Sequence, residues 1–131
     1  MFKKREIFKV KSLPVDPSSM SQPSNAAEYQ RRGMAFYARK QFDAAEQDLK
    51  EAIVLDSRFV DAHYSLGMVM KATNRKDAAI AAFKTVIELL AEEAAGGKAS
   101  ADMLRRLALG HVNELTQGDW NLEKEIWKHV A

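Results

Sequence analysis

Residues 29–55 read YQRRGMAFYARKQFDAAEQDLKEAIVL, and residues 63–89 read HYSLGMVMKATNRKDAAIAAFKTVIEL. Laid over one another, Gly33 falls on Gly67, Tyr29 on His63 and Ala45 on Ala79. Leu49 falls on Phe83, Ala52 on Val86 and Leu55 on Leu89, each pair 34 residues apart. The small residues recur where two helices must approach closely, and the large ones recur where they fill the space between. A shift of one residue in either direction breaks the Gly33–Gly67 match. A period of this size marks stacked supersecondary units that each bury a face only against a neighbour.

Each unit reads as two helices. Asn25 offers an N-cap with Glu28 three residues on, and the first helix runs to about Arg39. Residues 40–42 turn the chain, Asp43 through Leu55 form the second helix, and Asp56-Ser57 close it. In the second unit Asn74 is expected to cap, with Asp77 three residues on. Its second helix continues from near Arg75 through Ala95 and stops at Gly96-Gly97.

These residues resemble the tetratricopeptide repeat. The first unit carries Tyr29, Gly33, Phe36, Phe42, Ala45, Leu49 and Ala52 at signature positions; the second carries His63, Leu66, Gly67, Met70, Ala79, Phe83 and Val86. Arg32 departs from the expected leucine, Lys76 from the aromatic matching Phe42, and Ser57 from a frequent proline. The resemblance covers residues 26–91 and implies an all-α fold: antiparallel helix-turn-helix repeats stacked as a short right-handed superhelix of about six helices. The expected division is an arm over 1–24, then a helical domain over 25–131 made of repeat one (26–59), repeat two (60–95) and a degenerate capping pair (99–131).

In that last pair, Ser100 can cap a helix with Met103, Leu104, Leu107, Ala108, His111, Val112 and Leu115 at i, i+3, i+4 spacing. Gly118-Asp119 breaks it, and a final helix carries Leu122, Ile126, Trp127 and Val130. Two registers compete. Leu109-Gly110 copies Leu66-Gly67 but places Arg106 and Asn113 at buried positions, so the apolar stripe favours Ala108 in the tight-packing role. Trp120 and Trp127 are expected to close the open end of the core, with Trp127 as an interface anchor in the alternative.

The charge is uneven. The whole chain carries +2, yet residues 1–25 hold five basic residues (Lys3, Lys4, Arg5, Lys9, Lys11) against Glu6 and Asp16. This basic stretch, with Phe8, leads into a Pro- and Ser-rich run and reads as an extended N-terminal arm, either a solvated tail or a segment that docks on a partner. Lys3, Lys4, Arg5, Phe8, Lys9 and Lys11 are the candidate arm-docking residues. Nothing in it has the apolar stretch and cleavage site of a secretory signal. A role at RNA or a membrane surface is the weakest reading, since five basic residues support only salt-sensitive binding.

Ingredients for catalysis are few. The absence of cysteine removes disulfides, thiolate metal sites and cysteine nucleophiles, and His63, His111 and His129 are far apart. His63 and His111 lie at repeat-core and apolar-stripe positions, where a packed histidine is expected. Gly96-Gly97-Lys98 lacks phosphate-loop spacing, and Glu92-Glu93 point apart on a helix. No enzyme, cofactor, metal or small-molecule substrate is expected.

The resemblance implies a concave groove lined by the first helix of each unit. Projected onto this chain, its residues are Gln30, Met34, Tyr37, Asp61, Tyr64, Met68, Lys71 and Arg105, flanked by Ala27, Leu109 and Val112. Tyrosine supplies area with a polar tip and methionine repacks around different partners, which suits an adaptable protein site. Gln30, Met34 and Ser65 stand where the family's carboxylate clamp carries lysine and asparagine, so a terminal-carboxylate clamp is disfavoured. The expected function is a cytoplasmic, non-enzymatic adaptor or assembly factor gripping an extended or helical segment of another protein. The alternative is a structural subunit docked through the arm on a larger complex, including a membrane-bound one.

Overall fold

The computed structural model describes residues 16–120, all of it helix, turn or loop. A short 3-10 turn, Pro17–Ser19, precedes five α-helices: α1 (Ala26–Ala38), α2 (Phe42–Leu55), α3 (Val60–Ala72), α4 (Lys76–Ala95) and α5 (Ala99–Gln117). Successive helices pack against one another, and α1 also touches α3. The arm-docking residues Lys3, Lys4, Arg5, Phe8, Lys9 and Lys11, and the final helix expected after residue 120, lie outside the described residues.

Local chemistry explains the boundaries. The Asn25 side chain accepts from the Glu28 amide at 2.9 Å, while the Glu28 carboxylate reaches back to the Ser24 amide at 2.9 Å. The Ser24 amide and hydroxyl, both donating to it, hold the Glu28 carboxyl below its ordinary value. The 39–41 and 73–75 turns are the same structure twice. Lys40 and Asn74 both adopt the left-handed conformation, at φ 61° and 62°. The Gln41 amide donates to Phe36 O at 2.9 Å, and the Arg75 amide donates to Met70 O at 2.8 Å, closing Schellman turns. Asn74 is therefore the left-handed residue that ends α3, and Arg75 takes the N-cap position of α4. Asparagine suits either task, which is why its presence before a helix misleads. Similarly, Lys98 rather than Ser100 precedes α5 as its N-cap.

Two glycines set the helix crossings. A Cβ on Gly67 would lie 2.7 Å from the Phe83 ring, and one on Gly33 would lie 3.0 Å from Leu49 Cγ. Phe83 and Leu49 are both fully buried, so neither can step aside. Around Leu49 a first cluster gathers Ala45 and Val69 with Phe36, Tyr37 and Phe42. Around Phe83 a second gathers Met70, Ala79, Val86, Leu90, Ala101, Ala108 and Val112. Gly67→Ile should lower stability by about 3 kcal/mol through overpacking against Phe83. Urea unfolding measures this, and an unchanged midpoint would contradict the crossing.

The departure at Arg32 is compensated inside the fold. Its guanidinium pairs with the buried Asp48 carboxylate through two bonds of 2.8 Å, and lies over the Tyr29 and Phe36 rings. Hydrogen bonding to Asp48 raises the Arg32 pKa further above its ordinary value. One period later the same two positions hold Leu66 and Ala82. An ion pair in one unit thus stands where an apolar pair stands in the next. Asp48→Ala alone should cost about 3 kcal/mol, because it strands the guanidinium. Arg32→Leu with Asp48→Ala should return within about 1 kcal/mol of the parent. A double variant as unstable as the single one in denaturant titration would refute this equivalence.

Candidate interaction surface

The first helices of the two units, α1 and α3, lie side by side and are tied by Gln30 Nε2 donating to Ser65 Oγ at 3.1 Å. Met34, Tyr37, Tyr64, Met68 and Lys71 are partly buried, while Asp61 and Ala27 are exposed. The Tyr37 ring stands edge-on against Phe42, with centroids 5.7 Å apart, which fixes its orientation. Tyr64 stands edge-on against Phe83 at 5.5 Å, and burial pushes its phenol pKa up. Seven of the eight projected groove residues therefore belong to this α1–α3 pair.

Arg105 does not join them. It lines a separate cleft of about 260 Å³ with Ile87 and Ala91, and bonds Asp102 at 3.1 Å. Val112, expected to continue the surface, is buried in the core against α4, and Leu109 is half-buried. The residues of α5 that meet Tyr64 and Lys71 are His111 and Glu114. His111 lies about 240° round the helix from Arg105, six residues on at 100° each.

This places α5 in the register that copies Leu66-Gly67 as Leu109-Gly110. His111 then matches Met68, Glu114 matches Lys71, Val112 matches Val69, and Ala108 matches the buried small residue Ser65. A Cβ on Gly110 would run into the Trp120 ring, as one on Gly67 would meet Phe83. The expectation that Ala108 replaces Gly110 as the tight position is thus corrected. It rested on the polarity of Arg106 and Asn113, but both find polar neighbours. The Asp102 carboxylate lies 3.3 Å from Arg106 Nε, and Asn113 Nδ2 donates to Trp120 O at 2.7 Å.

His111 is the centre of a cluster that the sequence reading placed only as packed. Its ring stacks on Phe83 at 4.6 Å and 13°, and the Trp120 ring lies tilted against it at 4.7 Å and 54°. Lys71 Nζ lies 3.2 Å from Nδ1 and also pairs with Glu114, holding that carboxyl below its usual range. An ammonium only donates, so Nδ1 accepts, the proton resides on Nε2, and Tyr64 Oη accepts from Nε2 at 3.0 Å. The ring is held neutral. Burial first, then the Lys71 charge, push its pKa below the ordinary histidine value, with Glu114 opposing. His63 contrasts with it: partly buried, it reaches Ser57 O at 2.9 Å.

On the far side of α3, about 150° round the helix, an apolar trough of about 570 Å³ runs between α2 and α4. Ile53, Val54, Leu66 and Met70 line it, with alanines of α4. Among the described residues, no group of three or more His, Asp or Glu side chains could hold a metal ion, and no helix is long and apolar enough to cross a membrane.

His111 gives the cluster a pH response of definite sign. Its folded pKa is depressed, so the unfolded chain binds more protons below about pH 6.5 and stability falls as the medium is acidified through that range. His111→Gln should flatten the stability profile between about pH 7 and pH 5. Urea midpoints across that range measure it, and an identical slope in the variant would exclude His111 as the source.

A family model described as TPR repeat matches residues 33–74, and a second, described as Tetratricopeptide repeat, matches residues 60–89. Among curated proteins none matches the chain.

Proposed function

Residues 33–89 make this chain a tetratricopeptide-repeat protein, and on that premise we propose that it works as a non-enzymatic adaptor or assembly factor. It grips an extended or helical segment of another protein on the α1–α3 face. Tetratricopeptide repeats are a protein-interaction fold, so the partner is a protein. The observation that carries the reading is the grouping of Met34, Tyr37 and Met68, apolar or aromatic and still partly exposed, on two helices pinned together by Gln30 and Ser65.

Tyr37 is the natural anchor. Its ring is preset by Phe42, so little side-chain freedom is lost when a partner covers it, and aromatic anchors of this kind concentrate binding energy. The methionines supply surface that adapts around it. Tyr64 contributes as a wall rather than an anchor, since its hydroxyl is engaged by His111 and its ring by Phe83. Lys71 is likewise committed to Glu114 and His111. The partner segment is accordingly expected to be apolar or aromatic at its contact positions and indifferent to a terminal carboxylate.

A displayed library of random peptides, selected on the full chain, tests this directly. The selected peptides should be rich in apolar and aromatic residues. They should lose tenfold or more in affinity, about 1.4 kcal/mol, on Tyr37→Ala or Met34→Glu, with the helical circular dichroism unchanged. Peptides that bind both variants as tightly as the parent, or a selection that enriches none, would overturn the proposal.

A further inference from the structure

Residues 16–24 show what one side of a repeat unit receives. The turn Pro17–Ser19 packs on α1, and Asp16 lies within electrostatic reach of Arg39 at the end of that helix. Further along, Gln22 Nε2 donates to Tyr29 Oη at 3.3 Å, and its Oε1 accepts from Arg32 Nη1 at 3.5 Å. Ser24 then meets Glu28, so the segment runs antiparallel along α1. It is extended beyond its one turn. Met20 has φ −77° and ψ 143°, the polyproline II values, and Pro17 and Pro23 are both buried. Unit one therefore carries a proline-containing strap across Tyr29 and Arg32.

One period on, Tyr29, Arg32 and Phe36 become His63, Leu66 and Met70. At i, i+3 and i+7 these share one side of α3, and all three line the trough of about 570 Å³ between α2 and α4. Among the described residues the trough stands open, with Val54 on its α2 wall 76% exposed. Its chemistry differs from that of the strap's seat in a definite way. The Arg32–Asp48 ion pair is replaced by Leu66 and Ala82, so the guanidinium that bonds Gln22 has no counterpart. The polar side chains on the trough are engaged nearby: Lys50 with Glu46, His63 with Ser57 O, and Thr85 with Ala81 O.

We propose that this trough is a second docking site, and that it takes an extended, proline-containing apolar segment of another protein. The occupant is the counterpart, on unit two, of the strap on unit one. A backbone N–H laid on an apolar floor loses its partner, and proline has no N–H to lose. Its fixed φ also leaves less chain freedom to give up on binding. The chain's own residues 1–15 are a poorer match, because they bring five basic residues to a lining that holds no acidic one. The site lies on the far side of α3 from the α1–α3 face and does not depend on it.

A subtractive selection tests the site. A displayed library of random peptides is depleted on the full chain carrying Ala81→Glu, then selected on the parent. Ala81 and Val54 are exposed, so Ala81→Glu and Val54→Glu should keep the parent's circular dichroism. The surviving peptides should be rich in proline and apolar residues. They should lose tenfold or more in affinity on Val54→Glu, across the trough from Ala81, and bind Met34→Glu as tightly as the parent. Met34→Glu disables the α1–α3 face, so failure there and failure here are read separately. No survivors, survivors without proline, or survivors weakened by Met34→Glu would overturn the proposal. So would peptides that bind only after residues 1–15 are deleted, which assigns the trough to the arm. A parent that sediments as a dimer split by Ala81→Glu would assign it to a second copy and overturn it as well.

Discussion

The contact between Gly67 and the Phe83 ring is the constraint on which the second half of the molecule hangs. Only a residue without a Cβ lets the ring settle against the α3 backbone. Once there, Phe83 receives Tyr64 edge-on and His111 face-on. One side chain thus joins three helices: it fills the space between α3 and α4 and offers α5 a flat surface to stack on. The first unit uses the same device more weakly, with Leu49 against Gly33, and no aromatic is passed on to a further helix.

Much of this was legible in the sequence, because a period of 34 built on glycine, alanine and large apolar residues admits few packings. The helix pairs, the Asn25 cap and the glycine stops follow from local preferences that tertiary contacts here reinforce. The third unit was harder to read for a definite reason. α4 is six residues longer than α2, the loop after it is one residue shorter, and α5 begins four residues earlier relative to its glycine, so the spacing changes from 34 to 43 and the apolar stripe of α5 acquires a competing alignment. Polarity at Arg106 and Asn113 tipped the reading towards Ala108. Arg106 lies beside Asp102 one turn away on its own helix, and Asn113 reaches the Trp120 carbonyl across the turn that ends α5, a placement that composition does not carry. The Arg32–Asp48 pair was half visible, since the departure at Arg32 was plain while its partner lay 16 residues away in an ordinary acidic position. Of the candidate surface, the seven residues on α1 and α3 were projected onto a shared face, and Arg105 went to the wrong side of its helix for the same register reason.

The polar cluster around His111 shapes what the α1–α3 face can offer. Lys71 and Tyr64 would otherwise be the groove's most adaptable hydrogen-bonding groups, and both are held by α5. The open part of the face is therefore less polar than a list of its residues implies. Glu46 shows the same economy on the opposite edge. Arg75 at 2.5 Å and Lys50 at 2.7 Å hold its carboxyl at about 2, so it stays ionised far into acid and keeps α2 tied to the start of α4.

The ion pair between Arg32 and Asp48 has a consequence for how the chain avoids itself. Two units of equal period could exchange partners, with α1 taking α4 in place of α2, either within one chain or between two. Such an exchange would set Arg32 against Ala82 and leave Asp48 facing Leu66, each charge buried without its counterpart. Stranding buried charges costs several kcal/mol, whereas the native pairing satisfies both. A departure from the repeat pattern at two matched positions makes the otherwise similar units distinguishable, and so discriminates against swapped and misregistered assemblies.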